Sequence, residues 1–210
     1  MTQITIALTK GRILKETLPL LQQIGLEPLD DVFTSRKLLF PTTKNNVRLI
    51  ILRGSDVPTY VQFGKADIGI AGKDGLLEHD GDGYYEPIDL GIAQCKLMTA
   101  ALVGYQPGKG RLRVATKYIK VASEYYAQQG RQVDLIKLYG AMELAPVMDL
   151  ADEIVDIVDT GNTLVANGLE AREKIADISS RVIVNKAAMK TKYPEVKSIL
   201  SALEGALGNK

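Results

Sequence analysis

Apolar residues recur in short runs separated by helical patterns, and the alternation continues along the whole chain. Residues 3–9 read as a strand. Leu14, Leu18 and Leu21 then recur at helical spacing with Gly25 as a stop. Pro19 inside that pattern predicts a helix that is kinked or starts late. Residues 47–52 form a short apolar run expected to be a buried strand, followed by a helix over 57–63 and a strand over 66–71. A longer strand is expected over 96–103 and another over 112–115. The helical pattern of 117–129 ends at Gly130. Strand 133–138, short helix 143–150, strand 154–158 and helix 161–168 follow. Strand 182–185 and helix 194–207 complete the order, which predicts an α/β protein with mainly parallel sheets. Turn signals stand at Gln106-Pro107-Gly108-Lys109-Gly110, read as a hairpin or loop tip, and at His79-Asp80-Gly81-Asp82-Gly83. Neither resembles a long flexible linker. If the chain forms two lobes, structured crossings near Leu90 and near Ser179-Ser180 join them.

Composition narrows the class. The 210 residues are 46% hydrophobic and 24% charged, as in a globular protein with a sizeable core. A net charge of +1 implies no bulk pull toward nucleic acid. No stretch is long and apolar enough to suggest a membrane span. The first ten residues run straight into a strand pattern and lack a signal peptide's layout. With Cys95 as the single cysteine, no intramolecular disulfide framework is possible, and a cytoplasmic location is the natural expectation.

The run 153–164, Glu-Ile-Val-Asp-Ile-Val-Asp-Thr-Gly-Asn-Thr-Leu, is the most informative segment. It has an apolar strand, acids at Asp156 and Asp159, a small polar loop and a helix start. Loop amides attract phosphate, and carboxylates accept hydrogen bonds from sugar hydroxyls or hold a metal. An ordinary strand ending in an Asp helix cap fits the same residues. A carboxylate inside an apolar strand is costly unless paired, so Asp156 argues for function. A spacing of three puts Asp156 and Asp159 on opposite faces of a strand, so one of them belongs to the turn.

Cations gather elsewhere. In Leu8-Thr9-Lys10-Gly11-Arg12, Gly11 permits a tight strand-to-helix turn, and two cations oppose the helix dipole unless an anion sits between them. Two solvated surface cations fit equally. Ser35-Arg36-Lys37 reads as either an anion site or a charged turn. Arg53, at the end of a strand and before Ser55, Asp56 and Pro58, is well placed for an anion. The stretch 66–75, Ala-Asp-Ile-Gly-Ile-Ala-Gly-Lys-Asp-Gly, suggests close backbone packing or ligand approach, and it is not a Walker A loop. Ala115-Thr116-Lys117-Tyr118 is a further strand end entering a helix. His79 is read as a surface residue and Cys95 as a buried, inert thiol. No His/Cys cluster suggests zinc, and nothing supports a Ser-His-Asp triad.

With these blocks in order, the chain resembles ATP phosphoribosyltransferases of the short form, over essentially its whole length. The matching blocks are 7–14, Ser-Arg-Lys-Leu (35–38), Arg-Gly-Ser-Asp-Val-Pro (53–58), 66–74 and Val-Ala-Thr-Lys-Tyr (114–118). Most specific are Gly-Ala-Met-Glu-Leu-Ala-Pro (140–146) and 151–164. The resemblance implies an α/β fold of two lobes resembling type II periplasmic binding proteins, with the active site in the interlobe cleft. It implies a first lobe of residues 1–90 plus 181–210 and a second of 91–180. The implied reaction is Mg²⁺-dependent attack of ATP adenine N1 on C1 of phosphoribosyl pyrophosphate, with loss of pyrophosphate, as the first step of histidine biosynthesis. A C-terminal histidine-binding domain is expected to be absent. The implied partners are a second copy, giving a homodimer, and a regulatory subunit resembling histidyl-tRNA synthetase, giving a hetero-octamer.

That chemistry needs polyanions positioned and leaving-group charge stabilised, with no strong base. Arg12 and Arg36 are therefore expected to be the catalytic electrostatic groups. Lys10, Gly11 and Arg53 are expected at phosphates, and Lys73 and Asp74 on the ATP side. Glu143, Asp156, Asp159, Thr160, Gly161, Asn162 and Thr163 are expected to hold phosphoribosyl pyrophosphate. Mg²⁺ is expected to bind mainly through substrate oxygens and water. A small-anion binding protein of the same fold and a phosphoribosyltransferase for another base are the competing readings.

Overall fold

The structure is a computed structural model, and it describes residues 2–108 and 110–208. Lys109, in the 106–110 turn, lies outside the described residues. The chain divides into two compact units, Met1–Ala93 with Ser179–Lys210, and Gln94–Ile178.

The first unit begins with β1 (Ile4–Thr9), α1 (Arg12–Gln23), β2 (Leu39–Pro41), β3 (Val47–Leu52), α2 (Val57–Gln62), β4 (Ile68–Gly72), α3 (Lys73–Glu78) and β5 (Tyr84–Asp89). The second contains β6 (Cys95–Leu102), β7 (Leu112–Thr116), α4 (Ile119–Gln128), β8 (Val133–Lys137), α5 (Leu144–Val147), β9 (Glu153–Val158), α6 (Asn162–Ala166) and β10 (Leu169–Ile178). The chain then returns to the first unit as β11 (Ser180–Asn185), α7 (Ala188–Thr191) and α8 (Tyr193–Gly208).

The first sheet has the order β2-β3-β1-β4-β11-β5. Strand alternation sorts its side chains between two cores. Ile4, Ile6 and Leu8 of β1 and Val182 and Val184 of β11 pack with Leu14, Leu20 and Leu21 of α1 and Val196, Leu200 and Leu203 of α8. Ala7 and Ile183 point the other way, to Val57 and Val61 of α2. Burying one side chain of the size of Ile6 is worth roughly 1.5–3 kcal/mol. Gly69 lies where α2 meets the sheet. A Cβ there would stand 2.6 Å from Val61 and 2.9 Å from Val57 and Ile183, so only glycine lets the helix approach.

The second sheet has the order β10-β6-β9-β7-β8. Its core joins Ala100, Ala115 and Ile154 of the strands to Met142, Ala145 and Ala151 around α5 and to Leu164 of α6. At the start of β9 the buried Glu153 accepts a hydrogen bond from the Tyr126 hydroxyl at 2.8 Å, with Arg172 at 3.6 Å. Burial, first, and the Glu153 carboxylate push the Tyr126 phenol well above its ordinary pKa.

Several expectations need correction. The sheets are mixed, not mainly parallel. Pairs β1–β3, β1–β4, β7–β8 and β7–β9 are parallel, whereas β2–β3, β4–β11, β5–β11, β6–β9 and β6–β10 are antiparallel. The 106–110 segment is no hairpin, because β9 lies between β6 and β7. The first helix does not start late. It begins at Arg12 and carries Pro19 inside, because Pro19 is exposed and the buried face of Leu14, Thr17, Leu20 and Leu21 holds the helix together. Water can reach the Lys15 carbonyl that loses its partner. His79 is half-buried, with Nε2 2.5 Å from the Gln62 side-chain oxygen, and Cys95 is half-buried.

Candidate active site

Parallel strands bring their carboxyl ends to one edge of a sheet, and ligands of open α/β sheets gather there. In the first unit β3, β1 and β4 deliver three turns to that edge. These are Lys10-Gly11 before α1, 53–56 before α2, and Gly72 before α3. The turns are packed together. The Lys10 N–H donates to the Leu52 carbonyl at 2.8 Å, and a Cβ on Gly54 would lie 3.2 Å from Thr9 Cγ2. A side chain at Gly72 would collide with the Asp74 carboxylate. Gly11 has φ 100 and ψ −137, a conformation essentially restricted to glycine.

A cavity of about 470 Å³ opens beside the first turn, lined by Lys10, Gly11, Ser35, Arg36 and Lys37 with Leu14, Val32, Phe33, Leu38 and Ile51. The 35–37 block and the end of β1 thus meet, although Ser35 lies 24 positions after Gly11. Lys37 is matched by Asp30 at 2.8 Å. Among the described residues the charged groups of Lys10 and Arg36 make no ion pair, and neither does Arg53. Lys73, by contrast, is held by both oxygens of Glu86 at 2.7 and 3.0 Å. Arg12, Arg53, Lys73 and Asp74 do not line this cavity. Arg12 Nε donates to Glu16 at 2.7 Å, so an intervening anion is not the only answer to a cation at this helix start. Glu16 was missed by sequence reasoning; its spacing of four from Arg12 was the available signal.

In the second unit β8, β7 and β9 bring the segments after Lys137, Thr116 and Val158 to a common edge. Asp156 lies in β9, half-buried, opposite Met98 of β6, and Asp159 belongs to the turn that follows. The Asp156 carboxylate accepts the Ile157 N–H at 2.8 Å and stands 3.8 Å from Lys117 Nζ. Lys117 stood in the 115–118 strand end noted in the sequence, but its place beside Asp156 was not legible there, because only the β7–β9 pairing brings the two together. The loop 159–161 is exposed or half-exposed, and Gly161 enters α6 with φ 79. No side chain caps α6; the Thr160 hydroxyl reaches the Asn162 N–H only at 3.4 Å, so the Asp-cap alternative is not realised. Leu164, buried against Leu169 and Ile154, pins the loop from below. Glu143 stands half-buried at the start of α5, on the segment that follows β8.

Among the described residues no group of three or more His, Cys, Asp or Glu could hold a metal ion. Nor is any helix long and apolar enough to cross a membrane. The arrangement is thus two sheet edges, one carrying Lys10, Arg36 and Arg53, which make no ion pair among the described residues, and the other carrying the 159–161 loop with the carboxylates of Asp156 and Asp159.

Comparison with known proteins converges on one family. The family model described as HisG, ATP phosphoribosyltransferase, matches residues 53–205. The ATP phosphoribosyltransferase of Saccharophagus degradans is 65% identical over 210 residues, covering 100% of this chain and 99% of that protein. Among solved structures, the ATP phosphoribosyl transferase (HisG:HisZ) complex from Thermotoga maritima is similar with a TM-score of 0.87 and 31% identity, covering 99% of this chain and 100% of that one. A probable amino-acid ABC transporter extracellular-binding protein from Bacillus subtilis shares the two-lobed periplasmic-binding-protein-like fold at a TM-score of 0.57, with 12% identity, covering 100% of this chain and 96% of that one. That last likeness concerns the fold alone.

Proposed function

The chain belongs to the ATP phosphoribosyltransferase family, and we propose that its two units divide the work of that family's reaction. The enzyme is a pentosyltransferase that moves the phosphoribosyl group of phosphoribosyl pyrophosphate to N1 of the ATP adenine and releases pyrophosphate, in histidine biosynthesis. The bond formed is C1–N1; the bond broken is C1–O, whose electron pair leaves with pyrophosphate. Adenine N1 is already a nucleophile, so the protein's task is placement and charge stabilisation.

In this reading the second unit holds the sugar phosphate. The amides of 160–163 receive the 5-phosphate, and Glu143, Asp156 and Asp159 accept hydrogen bonds from the ribose hydroxyls. The first unit supplies the cations. Arg12 and Arg36 act on the charge that develops on the departing pyrophosphate, with Lys10, Gly11 and Arg53 at phosphates. Lys73 and Asp74 belong to the ATP side, Lys73 acting through its pairing with Glu86. The observation that carries the reading is the cavity that unites Lys10, Gly11 and Arg36, two cations that make no ion pair among the described residues. Mg²⁺ would accompany the substrate pyrophosphate, a mode of binding that asks at most one or two carboxylates of the protein.

By analogy with the HisG:HisZ complex from Thermotoga maritima, the chain would pair with a HisZ-like regulatory subunit, which the sequence resemblance implies is similar to histidyl-tRNA synthetase. A homodimer would be the form alone and a hetero-octamer the regulated form, both in the cytoplasm. The test is the Arg36→Ala variant assayed with ATP, phosphoribosyl pyrophosphate and Mg²⁺. Its kcat should fall far more than its affinity for ATP. A raised KM with unchanged kcat would move Arg36 to a binding role.

A further inference from the structure

Arg12 opens α1, and its Nε–H donates to the Glu16 carboxylate one turn later at 2.7 Å. Taken alone this is an ordinary exposed pair at spacing four, which contributes little to stability. The other oxygen of Glu16 changes its meaning. It accepts the backbone N–H of Ala93 at 2.7 Å, from a residue 77 positions away. Ala93 is the last residue of the first unit before the chain leaves for Gln94, is 9% exposed, and has φ 50. A non-glycine residue at positive φ is uncommon, and it is kept only where its surroundings hold it.

The carboxylate therefore has a fixed mount. One oxygen is set by main chain, and the other sets the plane of a guanidinium through Nε. An acid beside Arg12 also offsets part of the charge that an incoming polyanion would feel. Its benefit to the reaction must then be orientation and not field strength.

We propose that Glu16 is a positioning residue for Arg12, with the Ala93 N–H as its anchor; this rests on the reading of Arg12 as a group that acts on pyrophosphate. Glu16 touches no substrate in this account. It holds the guanidinium in the attitude that meets the leaving group, and loosening it costs turnover and not affinity. A misplacement of about 1 Å at such a group is worth roughly 100-fold in rate, so partial loosening should cost about tenfold.

The experiment is a double-mutant cycle with Arg12→Lys, which keeps the charge and removes the Nε–H. In the native background Glu16→Ala should lower kcat about tenfold with both KM values within about twofold. Glu16→Gln has one accepting oxygen where Glu16 uses two, so it can keep either the Arg12 Nε–H or the Ala93 N–H but not both; it should recover only part of that loss, and it guards against a folding defect in the alanine variant. In the Arg12→Lys background Glu16→Ala should change kcat by less than about twofold. An equal loss in both backgrounds, or an unchanged kcat in Glu16→Ala, overturns the positioning role while leaving Arg12 in place. Native kcat in Arg12→Ala removes Arg12 from catalysis, and the inference falls with it.

Discussion

Replacing Gly11 by alanine separates backbone strain from catalytic geometry. Gly11 sits at φ 100 and ψ −137 between Lys10 and Arg12, and an ideal Cβ there would meet nothing within 4 Å. The cost is thus backbone strain alone, about 1–3 kcal/mol. Against a typical stability of roughly 5–15 kcal/mol the variant folds. With a urea m-value of about 2 kcal/mol/M, the unfolding midpoint should drop by about 0.5–1.5 M. The chain can relieve the strain only by moving Lys10 and Arg12, so kcat should fall by about one to two orders of magnitude. Gly25→Ala is the control. Its φ is 72, its Cβ also meets nothing within 4 Å, and it ends the same helix at the far end from the site. It should lose a similar stability, about 1–2 kcal/mol, and keep kcat within about twofold. Urea titration and initial rates of pyrophosphate release read both quantities. A Gly11→Ala enzyme with native kcat, or a loss no larger than that of Gly25→Ala, would refute the coupling of this turn to the chemistry.

Tyr126→Phe removes the hydroxyl that donates to the buried Glu153 carboxylate at 2.8 Å. It should cost about 1.5–3 kcal/mol in urea titration with kcat unchanged, because Glu153 begins β9 and the loop lies beyond its other end; an unaltered midpoint would contradict the assignment. The Arg113 guanidinium holds Asp152 by two contacts, at 2.8 and 3.2 Å, beside a third from the Arg113 backbone N–H, and the guanidinium is the larger of the causes that keep that carboxyl below its ordinary pKa. A depressed folded pKa contributes stability above the unfolded value of about 3.9 that is lost as pH falls through the folded value. Arg113→Met should therefore flatten the acid limb of midpoint against pH below about pH 4; an unchanged slope would reject the linkage.

How much of this was legible depended on what each residue touches. The strands β3 and β9 announce themselves as apolar runs because they lie inside their sheets. The ten-residue β10 does not. Its pairing with β6 shifts register twice, between Ala171 and Lys174 and between Lys174 and Ala176, so the alternation in Leu-Glu-Ala-Arg-Glu-Lys-Ile-Ala-Asp-Ile loses phase. The edge strands β2 and β5 each carry a proline, Pro41 and Pro87, which a sheet tolerates at its rim and which argues against a strand in sequence. With β10 and β5 unread, two of the antiparallel pairings could not be seen, and the direction of β11 against β4 and of β6 against β9 is not written in their apolar runs. At the site, the 153–164 block was readable because strand, loop and helix are contiguous. The meeting of Lys10 with Arg36, of Lys117 with Asp156, and of Glu16 with Ala93 required the fold.

The central claim is that the 159–163 loop receives the sugar phosphate while the first unit supplies the charge stabilisation. The most direct measurement is calorimetric titration of phosphoribosyl pyrophosphate into the native enzyme and into Thr160→Glu. Thr160 is exposed, so the substitution should leave folding intact. A carboxylate about 4 Å from the 5-phosphate, at an effective dielectric of about 20, costs several kcal/mol, and affinity should fall at least about 100-fold. Native affinity in Thr160→Glu would place the sugar phosphate elsewhere and contradict the account.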